Sequence, residues 1–391
     1  MIRKYLIFFT IIMLLCGTGC WDLQEIDDKA VTTSVGMDLE GSNKLRFSSL
    51  FISPSQLGET AGVPQSKLTL TVSSDYSGAM AARRNLLSLS RIPEYAHIRS
   101  MVLGDDLVKN DLTLAVDLLA RNRNFSPKTN LLVSVGSRPE EILALTNSTD
   151  RILKQLVIVN EFQVGIYVPV TVHEFIYRLL TPGIEPVIPQ ITIEAAKPGN
   201  ESASAGDKSE NPSANNKKLV LRGTAIFKKN KKIGALNEYE SRGLRWLNSS
   251  KKTGGIIIIK SPYNPDAYTV LEILRFNSNT RPLVKGNKIK MQIKIDARLT
   301  MNENTSGMET IMPADLKNME QAANQEISRQ ISSCIRKSQN LNSDILGWGL
   351  LLLQCQPDTW KQVKGNWNDT YPLIEYDIKT KTSIIDTNLS K

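Results

Sequence analysis

Lys288-Ile289-Lys290-Met291-Gln292-Ile293-Lys294-Ile295 alternates without a break: Ile289, Met291, Ile293 and Ile295 fall on one side of an extended chain, and Lys288, Lys290, Gln292 and Lys294 on the other. Successive strand side chains point to opposite faces, so the stretch predicts a β-strand with one dry and one wet face. Downstream, Pro313 opens a run in which Leu316, Met319, Ala323, Ile327, Ile331 and Cys334 follow helical spacing. Proline starts a helix well because its missing N–H would have no intrahelical partner there. A half-wet strand beside a helix with one apolar stripe predicts a sheet with helices packed against it.

The pattern extends outward in both directions. Ser343 or Asp344 is placed to cap a second helix through Leu353, Pro357-Asp358 starts a third, and Glu375 to Ile385 reads as a closing strand. Upstream, Leu219 to Phe227 is a strand that Lys228 to Lys232 turns into Ile233 to Leu236. Nearer the start, Val31 to Asp38 and Lys44 to Ile52 form a strand pair around Glu40-Gly41-Ser42-Asn43. Ala79 to Leu89 reads as a helix, and Asn110 or Asp111 opens another. Asn130 to Val135 is a buried strand, followed by a helix from Pro139-Glu140-Glu141.

With 391 residues the chain exceeds what one core usually serves, so the fold class is α+β and multidomain, with mixed sheets and helices packed on them. The segment 197–218, rich in Lys, Pro, Gly, Asn, Ser and Ala, holds no large apolar side chain before Leu219. It buries too little to offset its ordering entropy, and so reads as a flexible linker or exposed loop. It divides an N-terminal α/β domain, 20–196, from a C-terminal one, 219–391, for which a further subdivision near 275–285 is open.

The first nineteen residues have a different character. Arg3 and Lys4 precede an apolar core from Leu6 to Cys16, and Gly17-Thr18-Gly19 lead to Cys20. Eleven helical residues rise only about 16 Å, against a hydrocarbon core of roughly 30 Å, so this is a secretory signal and not a span. The pattern is that of a bacterial lipoprotein signal, with Gly17 where Leu is usual. Cleavage before Cys20 makes it the lipid attachment site, carrying N-acyl and S-diacylglycerol groups. Two or three acyl chains, at about 0.8 kcal/mol per buried methylene, hold a protein far more firmly than one. Downstream, no purely apolar stretch exceeds the length of Ile256 to Ile259 or Leu350 to Leu353, too short to cross a bilayer.

Little in the remainder points to chemistry. Only His97 and His173 are present, neither beside a cysteine, and His173-Glu174 lacks the second His of a zinc-protease helix. There is no phosphate-cradling loop, nucleophile elbow or dinucleotide fingerprint. Gly254-Gly255 reads as a turn leading into a strand, and Glu140-Glu141 suits a helix N-terminus. No catalytic residue, cofactor site or metal site is therefore expected. Removing Arg3 and Lys4 lowers the net charge from +9 to +7, and no arginine-rich tract with interleaved aromatics suggests nucleic acid.

Cys334 and Cys355 remain. An exported compartment permits a disulfide between them, while their apolar helical positions also suit free buried thiols. Trp348, Trp360 and Trp367 read as core anchors, Trp21 as either a membrane-interface or a packing residue, and Tyr263-Asn264-Pro265-Asp266 as an exposed turn.

Several blocks carry a resemblance. They are Cys20-Trp21-Asp22-Leu23-Gln24-Glu25-Ile26 with Val35-Gly36-Met37-Asp38; Pro93-Glu94-Tyr95-Ala96-His97 with Gly104-Asp105-Asp106-Leu107; Leu236 to Leu244; and Asp344 to Gly349 with Trp360-Lys361 and Asn366-Trp367. In this order they resemble the Ger(x)C family, the lipoprotein C subunits of spore germinant receptors. The resemblance implies several mixed α/β domains and no catalysis. It also implies a place on the outer face of the spore inner membrane beside integral-membrane A and B subunits. Of defined functional residues it transfers only Cys20. The alternative from the residues themselves is a solute-binding lipoprotein of a transporter, which would need two comparable lobes around a cleft.

Overall fold

The computed structural model describes residues 3, 5, 28–41, 43–52, 68–121, 125–146, 152–195, 217–248, 254–261, 264, 266–286, 288–306 and 312–387. β1 (Lys29–Glu40) and β2 (Lys44–Ile52) pair antiparallel with Glu40 opposite Lys44, so the predicted strand pair forms. β3 (Thr69–Asp75) lies beyond β2. On the other side of β1 run β4 (Ile92–Glu94) and β5 (Ser100–Leu103), both parallel to it. β6 (Asn130–Ser134) and β7 (Val187–Ala195) continue the parallel run, and β8 (Lys217–Lys228) and β9 (Lys231–Leu236) finish the sheet antiparallel.

Parallel neighbours cannot be joined by a tight turn, so helices make the crossovers. α1 (Gly78–Arg84) runs into a 3-10 turn, Asn85–Ser88. α2 (Asp105–Asn110) and α3 (Thr113–Arg121) connect β5 to β6. α4 (Pro139–Leu145), α5 (Ile152–Val159), a π turn at Asn160–Val164 and α6 (Val172–Leu180) connect β6 to β7. Met101, Leu103, Leu131 and Val133 point into one core with Leu107, Ala115 and Phe175. Val102 and Leu132 between them point into another with Ile142 and Val157. With both faces covered, Met101 to Leu103 and Leu131 to Val133 are apolar on both sides and show no alternation.

The second sheet follows α7 (Glu238–Leu247). It has the order β10 (Ile256–Lys260), β11 (Tyr268–Lys285), β12 (Lys288–Asn304) and β13 (Glu375–Asp386), the last parallel to β12. α8 (Pro313–Asn340) lies on its inner face. Met319, Ala323, Ile327 and Ile331 share a core with Ile289, Met291, Ile293 and Ile295, so the predicted strand face and helix stripe meet. β13 fixes the helix by alternate residues. Thr380 Oγ1 donates to the Asn324 carbonyl at 2.9 Å, Thr382 Oγ1 to the Glu320 carbonyl at 2.9 Å, and Ile384 N to Glu320 Oε1 at 2.9 Å. The chain then forms α9 (Trp348–Cys355), α10 (Pro357–Val363) and α11 (Trp367–Thr370) before β13.

The chain is thus α+β with two mixed sheets and helices against them, but the sheets do not divide at the polar segment. β7 and β8, on either side of it, pair from Val187–Ile226 to Ala195–Lys217, so the boundary drawn at 197–218 falls inside one sheet. Lys217 and Lys218 already belong to β8. Residues 275–285, near which a further subdivision was open, lie within the single strand β11. The helix expected from Asn110 or Asp111 starts at Thr113, with Asp111 Oδ1 accepting the Thr113 amide at 2.7 Å, and Asn110 instead ends α2. Among the described residues no helix is long and apolar enough to cross a membrane.

Candidate functional site

Cys20 lies outside the described residues, as do Trp21, Asp22 and Tyr263. The other sequence blocks come together in pairs, and each pair has a physical cause. Asp38, on β1, accepts the amides of Leu39 at 2.8 Å and of Leu107, in the first turn of α2, at 3.2 Å. Gly104 must lack a side chain there, because a Cβ would run into the Asp38 carboxylate. Burial raises the Asp38 pKa above the ordinary aspartate value, and the two amides oppose the rise.

The block Leu236 to Leu244 runs from the last residue of β9 into α7. Asn237 and Glu240 make a reciprocal capping box, with Asn237 N donating to Glu240 Oε2 at 2.9 Å and Glu240 N to Asn237 Oδ1 at 2.8 Å. Gly243 then allows α7 to sit on α8, since a Cβ would collide with the Gln330 carbonyl and lie 2.7 Å from Cys334 Cβ. Trp246 Nε1 donates to Gln330 Oε1 at 3.0 Å, and its ring packs edge-on to Phe276, 4.7 Å between centroids.

The densest junction is the turn between α8 and α9, which plugs the second sheet into the first. Ser338 Oγ donates to the Ser343 carbonyl at 2.6 Å and also contacts the Tyr371 hydroxyl. Ser343 Oγ donates to the Phe227 carbonyl on β8 at 2.5 Å, and Lys228 Nζ to the Asn342 carbonyl at 2.8 Å. From the other side, Glu185 N donates to the Asp344 carbonyl at 2.9 Å, Arg178 to the Ile345 carbonyl at 3.1 Å, and Leu350 N to the Gly183 carbonyl at 2.8 Å.

Asp344 organises this turn. Its carboxylate accepts Trp348 N at 3.0 Å and Gly349 N at 2.8 Å, so it serves the first amides of α9 from a distance, while the N-cap position expected at Ser343 or Asp344 is taken by Gly347. Burial pushes this carboxyl up to about 7, against the pull of the Gly349 and Trp348 amides. Burial also raises Tyr371 well above the ordinary phenol value, and the negative Asp344 adds to the rise. Trp348 packs edge-on to Tyr371 at 5.8 Å, and Trp360 to Trp367 at 5.2 Å; Trp348 and Trp360 are buried and Trp367 partly so.

The remaining candidates have structural work. Glu174 caps α6 through a reciprocal pair with Thr171, and His173 is simply the next residue after the first of that helix. Glu140 sits at the α4 N-terminus, where Arg46 Nε reaches its Oε1 at 2.8 Å. Gly254 and Gly255 have positive φ and lead into β10, and Arg245 donates to the Gly254 carbonyl at 3.0 Å. Cys334 and Cys355 are both free thiols. Cys334 is buried, which pushes its thiol up, whereas Cys355 ends α9 exposed; the shared burial expected for them fails because only one faces the core. Sequence reasoning missed Arg178 and Glu185 at the junction. The sole hint was an arginine followed by two leucines near the end of the helix Val172–Leu180.

Comparison with known proteins agrees with this layout. The model described as spore germination protein N-terminal domain matches residues 22–193, and that described as spore germination B3/GerAC like, C-terminal, matches 222–388. Spore germination protein KC of Bacillus subtilis is 24% identical, covering 100% of this chain and 97% of that protein. Spore germination protein B3 of the same organism is 19% identical, covering 97% and 96%. The crystal structure of the GerBC protein superposes with a TM-score of 0.55 at 16% identity, covering 90% of this chain and 97% of that one, and so shares the fold. The two family models meet across the β7–β8 hairpin and between them take in both sheets, and the chain belongs to the Ger(x)C family of spore germination proteins.

Proposed function

We propose that this protein is a noncatalytic subunit of a spore nutrient germinant receptor. In this reading it is held on the extracytoplasmic face of the spore inner membrane by N-acyl and S-diacylglycerol groups on Cys20, and it works by contact with integral-membrane A and B subunits. The observation that carries this reading is the end-to-end match: spore germination family models account for 22–193 and 222–388, and relatives named as spore germination proteins align over nearly their whole length. The short apolar leader ending at Cys20 supports the anchor.

The test is replacement of Cys20 by Ala in the sporulating organism, followed by fractionation of spore membranes and a nutrient response assay. The expected result is loss of the protein from the membrane fraction and from the receptor complex, together with a lost nutrient response. Normal membrane abundance with a normal response would refute the anchor. The transporter alternative predicts that the protein holds a small solute by itself, which calorimetry with amino acids and sugars would reveal. The architecture disfavours it, because the polar segment joins two strands of one sheet and does not separate two comparable lobes.

A further inference from the structure

One face of the first sheet carries apolar side chains that nothing among the described residues covers. Tyr76, Leu86, Ile92 and Leu114 line an open groove of about 710 Å³ between α1, β4 and α3, and they are 70%, 41%, 56% and 50% exposed. Leu87, next to Leu86 in the 3-10 turn, is 85% exposed. Single exposed leucines are ordinary, but a contiguous apolar rim marks a surface that meets something. Arg83 and Arg121 also line the groove, and Arg84 closes the same helix, so the apolar rim is fringed by guanidinium groups. Two of these engage carboxylates, Arg84 with Asp75 and Arg121 with Asp117, leaving the fringe positive by Arg83.

The position of β1 identifies what this face meets. Its first residue, Lys29, pairs directly with Ile92 on the groove rim, so the chain joins the fold at the edge of this patch. Cys20 precedes Lys29 by nine residues, a reach of at most about 30 Å even when extended. A lipid on Cys20 therefore keeps this edge of the fold within that reach of the bilayer. An apolar rim with a basic fringe is the composition that enters the headgroup and acyl boundary.

We infer that the rim formed by Tyr76, Leu86, Leu87, Ile92 and Leu114 rests in the surface of the lipid bilayer, orienting the protein on its tether. The inference depends on the lipid anchor at Cys20 and adds to it a defined lipid-facing side. Unlike the tether, which fixes only distance, this contact fixes rotation and sets which surfaces remain open to protein partners.

The test uses the full lipidated chain reconstituted in phosphatidylcholine and phosphatidylglycerol vesicles. An environment-sensitive fluorophore is placed on Leu87→Cys, or on Leu283→Cys of the second sheet as control, in a Cys355→Ser background that removes the exposed native thiol. The expected result is at least twofold stronger quenching at position 87 than at 283 by lipids carrying a shallow nitroxide, with blue-shifted emission. Equal quenching at both positions while the protein stays on the vesicles would overturn the inference and leave the anchor standing. Blue-shifted emission at 87 without lipid quenching would also overturn it, assigning the rim to the chain's own 21–27 segment or to another protein surface. Failure of the protein to float with the vesicles would overturn the anchor and, with it, this orientation.

Discussion

Asp38 and Leu107 are joined across 69 residues by a hydrogen bond of 3.2 Å, in which a carboxylate on the central strand β1 receives an amide from the first turn of α2. The contact explains a helix of six residues that would hardly stand alone. Gly104 leaves the space for the carboxylate. Replacing Gly104 by Ala is expected to lower stability by about 2 kcal/mol, as typical steric conflicts in a packed core do. Urea unfolding monitored by circular dichroism measures it, and a change within a few tenths would show that Asp38 moves aside freely.

Gly243 offers a sharper case because two effects oppose each other. Alanine in a helix interior normally stabilises by about 1 kcal/mol over glycine. Here the added methyl meets the Gln330 main chain and the Cys334 side chain. The clash is with backbone and cannot be relieved by a rotamer change, so Gly243→Ala is expected to destabilise by about 2 kcal/mol or more. Thermal unfolding decides the sign, and a higher Tm in the variant would contradict the close packing of α7 on α8.

Asp344 sets a pH dependence with a definite sign. Its carboxyl is raised from 3.8 to about 7 by burial, so the folded state binds the proton more tightly than the unfolded one. Stability associated with this group is therefore full below the unfolded value, declines as pH rises towards about 7, and is flat above it. The decline corresponds to an order of 4 kcal/mol by linkage. Asp344→Asn is expected to remove this slope from the pH profile of the urea midpoint. It should also lower stability overall, because its amide would face the Gly349 N–H. An unchanged slope in the variant would assign the dependence to other carboxylates.

Ser343 ties the α8–α9 turn to β8 through the Phe227 carbonyl. Ser343→Ala leaves that buried carbonyl short of a donor and is expected to lower stability by about 1 to 3 kcal/mol. Hydrogen exchange should quicken first along the β8–β9 hairpin. Faster exchange confined to α9 would show that the turn does not bind the two sheets together.

The two described thiols should differ in reactivity. Cys355 is exposed and Cys334 is buried with a raised pKa. A thiol reagent is expected to modify Cys355 in the native protein and Cys334 only after unfolding. Two protected thiols in denatured, unreduced protein would instead reveal a bond between them.

The legible elements were those whose signal is local. The Lys288 to Ile295 alternation appears as a half-buried strand, and the Leu316 to Ile331 spacing as the inward stripe of α8, because one neighbouring surface buries each. The β7–β8 pairing was hidden for the opposite reason. A polar segment shows only that its own residues bury little, and says nothing about whether the strands at its ends pair with each other. The short helix Asp105–Asn110 was missed because its supporting acceptor, Asp38, is remote in sequence. Asp344 was readable near a helix start, yet the groups that its turn meets, Glu185 at Asp344, Gly183 at Leu350 and Phe227 at Ser343, are remote in sequence. Cys20 lies outside the described residues, and its reading comes from the leader pattern and the block that follows it.

The interior position of β1 has a mechanical consequence. Its hydrogen bonds run to β2 on one side and to β4 and β5 on the other, starting from its first residues. Tension arriving along the strand axis at Lys29 would be resisted in shear by both ladders at once, where an edge strand would peel one bond at a time. A body pulled by its leading end in this way keeps its shape under strain that would unzip a peripheral attachment.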